Sequence, residues 1–256
     1  VRNLGSANWP LTPVQESGTA QLSLRVHGAD GQLLAQNDTP LLVMPAADRI
    51  TSFSGTVAVQ LRPERHQDDA SASESATSTL NALGYQASTQ LWDKTKLVIS
   101  DYPTPELLNW VSQGGDLLFL SGGSNAFFWS SGRGGAYSGN WMTSFSWLRP
   151  GIYRRLKVSN PLTSAFIDMT PQHVILGLPV YDSAYHEDFL GGQITGWVGH
   201  PALHTIQFRY GSGRVVMTSY RLKDKWSYHP VAIAMLHDLV DHLTSDRCQP
   251  TLQAKF

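Results

Sequence analysis

The first 48 residues carry the alternation of apolar and polar side chains that is typical of a half-buried β-strand. The alternation is strict over residues 21–26, and Asp30-Gly31 predicts a hairpin turn after them. Two further apolar runs lie at 33–35 and 41–44. Because three or four strands cannot enclose a core by themselves, we predict that residues 1–48 are the end of a β-sandwich or pack on the domain C-terminal to them.

From 49 to 246 short apolar runs alternate with helical patterns. A 3.6-residue apolar period predicts a helix over 72–83 that ends at Gly84. Thr104-Pro105-Glu106 supplies an N-cap, a proline at the first helical position and a first-turn acid for a second helix. The predicted strands are 56–61, 87–91, 97–100 and 117–120. This alternation predicts an α/β domain on a flavodoxin-like plan, with a parallel sheet covered by helices on both faces.

The second half of this domain has a less regular pattern. Residues 121–160 form a long loop rich in glycine and aromatic residues, and 161–200 are irregular. Residues 205–219 predict a hairpin, and 231–243 predict a final helix with one apolar face. Residues 247–256 are predicted to be a polar tail that contains Cys248, the single cysteine.

Composition narrows the possible functions. A net charge of −1 gives no long-range attraction for polyanions, so we expect no nucleic-acid partner. No apolar run approaches the roughly 20 residues of a membrane span, and a single cysteine excludes a disulfide framework. The low charged fraction (15%) and the eight tryptophans are typical of a carbohydrate-active protein or of a loop-rich secreted domain. We therefore expect a periplasmic or extracellular location, with the cytoplasm as the alternative, and a piece of a longer protein because the chain opens at Val1.

The turn Ser121-Gly122-Gly123-Ser124 follows a buried strand, at the sheet edge where α/β proteins bind ligands. Ser121 or Ser124 is therefore a candidate nucleophile, although the flanking residues do not form a G-x-S-x-G elbow. The alternative, which is more common, is a glycine-rich turn that leaves a strand. The partners such a serine needs would come from His200, His204, His229 or His237 as base and Asp224 or Asp238 as orienting acid.

Cofactor and metal signals are weak. Neither a P-loop nor G-x-G-x-x-G is present, so no cofactor is predicted. His200 and His204 lie near His186-Glu187-Asp188, but Pro201 stands between the two histidines and residues from 205 onward predict a strand. On a strand, residues at i and i+4 lie about 13 Å apart. We predict no metal site. The i, i+4 pairs His237/Asp241 and Asp238/His242 are interpreted as a solvated helix face.

Aromatic side chains in the Gly/Ser-rich segments are candidates for stacking on sugar rings. Anchoring of long loops in the core is the competing interpretation. The candidate carbohydrate contacts are Trp129, Tyr137, Trp141, Trp147, Trp197 and Trp226.

Three segments resemble a known family. Residues 97–120, LVISDYPTPELLNWVSQGGDLLFL, resemble the strand–helix–V-x-x-G-G-x-L-L unit of the class I glutamine amidotransferase-like domain in β-galactosidases and related glycoside hydrolases. Residues 211–218, GSGRVVMT, are similar to the G-x-G-R-V hairpin of that domain, and 229–239 are similar to its closing helix. The resemblance covers about residues 15–245 and implies the C-terminal region of a glycoside hydrolase of the family 2 type.

The resemblance implies a scaffold without a catalytic centre. Amidotransferases of this class use a cysteine at a strand end, whereas Cys248 lies elsewhere, so glutaminase activity is not expected. The carboxylate pair of a family 2 enzyme would lie on a barrel domain outside this chain. We therefore expect an accessory region that braces that barrel, aids homo-oligomerisation or adds residues to the rim of the sugar site. A stand-alone serine hydrolase and a carbohydrate-binding module are the alternatives.

Overall fold

The computed structural model describes residues 12–46, 50–62, 69–91, 94–121, 131–133, 146–156, 158–171, 173–195 and 200–254. Its N-terminal part is a two-stranded antiparallel ribbon of β1 (Gly18–His27) and β2 (Leu33–Val43). The predicted turn at Asp30-Gly31 is confirmed, with Gly31 at a φ of 80°. The runs at 33–35 and 41–44 are not separate strands, because the first and most of the second belong to β2. Proline and polar residues between them hid that continuity.

The central sheet is mixed, and its parallel half contains the predicted strands. These are β3 (Thr56–Gln60), β4 (Gln86–Ser88), β5 (Thr95–Ser100) and β6 (Asp116–Leu120), in the order β4-β3-β5-β6. The mixed α/β class with a mostly parallel central sheet is confirmed. β4 is shorter than the predicted 87–91, because Thr89 and Gln90 already lie in an exposed turn.

The other half of the sheet is antiparallel. β7 (Ser131–Arg133), β8 (Ser146–Leu148), β9 (His173–Ile175), β10 (Phe189–Thr195), β11 (His200–Tyr210) and β12 (Gly213–Thr218) extend it, and β12 pairs parallel with β6. The expectation that 161–200 is irregular is therefore wrong for β9 and β10. The Gly191-Gly192 pair concealed β10. A Cβ on Gly192 would lie 2.6 Å from the carbonyl oxygen of Ala202 on β11, so close strand packing requires glycine there.

Helices cover both faces of the sheet. α1 (Asp69–Ala82) and α3 (Pro230–Leu243) pack on one face, and α2 (Pro105–Ser112) packs on the other. The predicted N-cap of α2 is confirmed, since the Thr104 hydroxyl accepts from the Leu107 N–H at 3.1 Å. α3 differs from its prediction because almost every side chain along it is buried, rather than one face. No helix in the described ranges is both long and apolar enough to cross a bilayer.

The hairpin 211–218 of the family resemblance has a structural role. Gly213 approaches α2 so closely that a Cβ there would lie 2.0 Å from the carbonyl oxygen of Val111. Arg214 makes a bidentate ion pair with Asp116 at 2.7 and 2.8 Å, which joins β12 to β6. The close packing against α2 therefore explains Gly213, and the ion pair with Asp116 explains Arg214.

The C-terminal segment is not the polar tail that the sequence predicted. Cys248, Leu252 and Ala254 are buried, and Leu252 and Ala254 exchange backbone hydrogen bonds with Arg209 of β11. The carboxylate of Asp188 accepts from the N–H groups of residues 251 and 252 at 2.6 to 3.2 Å. The segment up to 254 thus packs along the free edge of β11 beyond β10.

Candidate functional site

Ser121 lies where the sequence predicts, immediately after β6, and within the described residues it does not meet a histidine and an acid. Its N–H donates to the carbonyl of Thr218 at 2.7 Å, which continues the pairing of β6 with β12. In the described parts of the chain no histidine is hydrogen-bonded to its hydroxyl. Ser124 lies outside the described residues. Both interpretations of Ser121-Gly122-Gly123-Ser124, as a nucleophile site and as a glycine-rich turn, therefore stay predictions.

The candidate histidines serve the core. His204 is completely buried, with Nε2 3.5 Å from the hydroxyl of Ser146 and the ring of Tyr220 edge-on at 5.4 Å between centroids. Burial lowers the pKa of His204 to about 3, so its imidazole is neutral. His237 Nδ1 lies 2.7 Å from the hydroxyl of Tyr85, and His229 is the N-cap residue of α3. The side chain of His200 is outside the described part.

The candidate acids are engaged in ion pairs. Asp224 pairs with Arg221 on the surface at 3.0 Å, whereas Asp238 is buried against Arg155 at 2.8 Å. The interpretation of His237/Asp241 and Asp238/His242 as a solvated face is wrong for three of the four residues, because His237, Asp238 and His242 are buried. Each has a hydrogen-bonding partner distant in sequence, which makes burial of a polar group tolerable.

Two residues of the predicted cluster His186-Glu187-Asp188 bind other protein groups. Glu187 forms an ion pair with Arg149 at 3.1 Å, and Asp188 holds the C-terminal segment. Within the residues that the structure describes, no group of three or more potential metal ligands converges.

Of the predicted carbohydrate contacts, two lie among the described residues. Trp226 is only 4% exposed and belongs to the core cluster that contains α1 and α3, so little of its ring is accessible to a sugar. Trp147 lines a pocket of about 320 Å³ between β8, β10 and β11, with Phe189 and Leu203. The other four, Trp129, Tyr137, Trp141 and Trp197, lie outside the described residues.

The Trp147 pocket offers few free polar groups. Arg149, its one guanidinium, donates to the carbonyl of Phe189 at 2.9 Å, to the Glu187 carboxylate and to the carbonyl of His186. These bonds occupy the guanidinium within the protein. The walls that remain are largely apolar, which suits an apolar ligand better than one rich in hydroxyls.

The β1–β2 ribbon presents a second surface. Leu22, Leu24 and Val26 lie on one face and are 38, 57 and 49% exposed. The opposite face carries polar neighbours such as Ser23 and Arg25. We call the side of Leu22, Leu24 and Val26 the apolar ribbon face. It is the surface that the alternation over 21–26 predicted to be half-buried, and it is exposed in this chain.

The parallel half of the sheet contains a polar pocket that sequence reasoning missed. It lies at the carboxyl ends of β3 and β5 and is lined by Gln60, Tyr102 and Glu106 among others. The available signal was Gln60, a polar residue that ends an otherwise apolar strand. Periodicity alone did not indicate which polar strand ends meet in space.

Comparison with known proteins adds no relative. No protein-family model matches the chain, and none of the curated proteins matches it. The amidotransferase-like resemblance therefore remains a prediction from the quoted segments.

Proposed function

We propose that this chain is a non-catalytic accessory region of a secreted or periplasmic glycoside hydrolase, and that the apolar ribbon face docks it onto an apolar β-sheet of the same longer protein. The carrying observation is the exposure of Leu22, Leu24 and Val26 on one face of β1, whereas the opposite face of β1 carries Ser23 and Arg25. An uncovered two-stranded ribbon is marginally stable in water, and exposed apolar sheet surface favours association. A sheet partner covers that face and completes a sandwich.

Strand order supports the family on which the proposal rests. The parallel strands run β4-β3-β5-β6-β12, which is the order 2-1-3-4-5 of flavodoxin-like sheets. The position after β6, where an amidotransferase nucleophile is expected, holds Ser121. Burial raises the pKa of the Cys248 thiol to about 12, so it is poorly suited to nucleophilic chemistry.

The docking face is tested with the double substitution Leu22→Thr/Leu24→Thr. Because both side chains are exposed here, we expect the free energy of unfolding of the isolated chain to change by less than about 0.5 kcal/mol. In the native gene product we expect the same change to speed hydrogen–deuterium exchange at residues 18–43, which docking would otherwise slow.

Ser23→Thr/Arg25→Thr, on the polar face, is the matched control and is expected to leave exchange unaltered in both proteins. Equal exchange of the ribbon in the isolated chain and in the gene product contradicts the proposal. A dimer of the isolated chain that Leu22→Thr/Leu24→Thr dissociates, measured by light scattering, assigns the face to a second copy instead.

The absence of catalysis is a separate prediction. We expect the isolated chain to release no nitrophenol from aryl glycosides and to remain unlabelled by a fluorophosphonate probe. Turnover of the glycosides overturns the accessory role. Labelling that disappears in Ser121→Ala or Ser124→Ala supports the serine hydrolase alternative.

A further inference from the structure

A cavity of about 440 Å³ opens where the strand order of the sheet reverses. β3 leads into α1 on one face, and β5 leads into α2 on the other, so the two connections diverge above the strand ends. Ligands in open α/β sheets bind in the crevice at this point, and the volume falls within the range of small-molecule sites. The cavity is independent of the ribbon and of the proposed docking.

Hydrogen-bond acceptors dominate the cavity lining. The side-chain oxygen of Gln60 is buried and has no hydrogen-bond partner among the described residues. The carboxylates of Glu74 and Glu106 flank the opening, and Thr89 and Tyr102 add hydroxyls. A buried acceptor without a donor carries a desolvation cost that a hydroxyl group of a ligand removes.

The N-terminus of α2 is unsuited to an anion. Pro105 has no N–H, and the N–H of Leu107 already donates to the hydroxyl of Thr104. Glu106 then places a carboxylate in the first turn. The backbone donors and positive field that would hold a phosphate are therefore largely occupied or opposed by negative charge.

The inner wall of the cavity is held in place by hydrogen bonds. The hydroxyl of Ser73 accepts from the N–H of Leu61 at 3.0 Å and donates to its carbonyl, which ties α1 to the end of β3. The hydroxyl of Ser100 bonds to both backbone groups of Tyr102 at 2.7 and 3.2 Å. Because these groups are already fixed, a ligand that binds them loses less conformational entropy on binding.

The guanidinium of Arg62 holds the outer wall. It lies 5.3 Å from the ring centre of Tyr102, and the backbone N–H of Arg62 donates to the carboxylate of Asp101 at 2.8 Å. Lys223 also bonds to Asp101 at 3.0 Å. The ammonium of Lys223 is thus paired with Asp101, and the guanidinium of Arg62 lies over the ring of Tyr102.

From this geometry we infer that the cavity binds an uncharged polyhydroxylated molecule, a mono- or disaccharide, through donation of its hydroxyls to Gln60, Glu74 and Glu106. The two carboxylates and the occupied helix N-terminus weaken the binding of phosphorylated sugars.

Calorimetric titration of the folded chain tests the ligand class with glucose, glucose 6-phosphate and glucosamine as probes. We expect glucose to bind and glucose 6-phosphate to bind at least about tenfold more weakly, since each 1.4 kcal/mol corresponds to tenfold. Binding of glucosamine without glucose identifies a cation site and overturns the inference, as does tighter binding of the phosphate. No heat with any of the three probes, or with lactose, also overturns it.

Two substitutions locate the ligand. Gln60→Leu removes the buried acceptor at similar volume, and Glu106→Gln removes an exposed carboxylate with little risk to folding. Each is expected to weaken glucose binding by about fivefold or more, the effect of one lost hydrogen bond. Gln113→Leu, exposed at the far end of α2, is the matched control and should bind normally. Loss of binding in Trp147→Ala with unchanged binding in Gln60→Leu and Glu106→Gln places the sugar in the other pocket and contradicts the assignment.

Discussion

Replacing Arg155 with methionine is expected to lower the free energy of unfolding by about 3–5 kcal/mol, the largest single effect we expect in this fold. Arg155 binds the buried carboxylate of Asp238 through both its side chain, at 2.8 Å, and its backbone N–H, at 3.0 Å. It also pairs with Asp241 at 2.8 Å. Removing the guanidinium leaves Asp238, which is 1% exposed, as a buried charge without a cation.

The same substitution carries a pH signature. Burial raises the pKa of Asp238 to about 6, although Arg155 opposes this shift. A carboxyl whose pKa is higher in the folded chain than in the unfolded chain binds a proton more tightly when folded. The fold therefore loses stability as the pH rises from the unfolded-chain pKa to the folded-chain pKa. Without Arg155 the pKa rises further, so we expect a larger loss at pH 8 than at pH 5, where a proton neutralises Asp238.

Denaturant unfolding at the two pH values measures this effect, with Arg221→Met as the control. Arg221 pairs with Asp224 in an exposed i, i+3 bridge, and its loss should cost less than about 1 kcal/mol at either pH. A cost below about 1 kcal/mol for Arg155→Met at pH 8 contradicts the argument that Asp238 depends on this cation.

The parallel half of the sheet was predictable because its signals are local. Strand 117–120 is a continuous apolar run, and Thr104-Pro105 begins α2 through contacts within one turn. Both require only neighbouring residues. The same holds for Asp30-Gly31, whose turn is set by its own backbone preferences.

The interior of α3 was not predictable from local pattern. His237, Asp238 and His242 have the spacing of a solvated charged face, yet all three are buried. Their partners are Tyr85, Arg155 and Gln207, which belong to distant parts of the sequence. The polar residues of this mostly apolar helix are thus buried because other segments supply their hydrogen bonds.

The candidate sites divide in the same way. The apolar ribbon face follows from the alternation over 21–26, although that alternation predicted a half-buried surface and the face is exposed. The cavity depends on Gln60 and Glu106 meeting across the reversal of strand order, which only the topology specifies. Ser121 was placed correctly at its strand end, but its assignment as a nucleophile required a convergence that local pattern does not encode.

His204 is fully buried, and we expect its burial to make the fold sensitive to acid. Its Nδ1 and the hydroxyl of Tyr220 are buried without a hydrogen-bond partner in the described ranges. Burial lowers the pKa of His204 to about 3, compared with about 6.5 in an unfolded chain. The folded state therefore excludes a proton that the unfolded state binds readily below pH 6.5.

Replacing His204 with leucine is expected to reduce the acid sensitivity of the fold by about 2–3 kcal/mol between pH 6 and pH 4. With a lowered folded-state pKa, the contribution of His204 is complete above pH 6.5 and is lost as the pH falls towards 3. The slope is about 1.4 kcal/mol per pH unit for one proton.

Denaturant unfolding across this pH range measures the slope, and His204→Gln, which is polar but does not titrate, should flatten it equally. A cavity or a lost contact changes the free energy of unfolding by the same amount at every pH. Only the slope of that free energy against pH therefore reports protonation of His204. A slope in His204→Leu and His204→Gln equal to that of the unsubstituted chain would show that another group causes the acid loss.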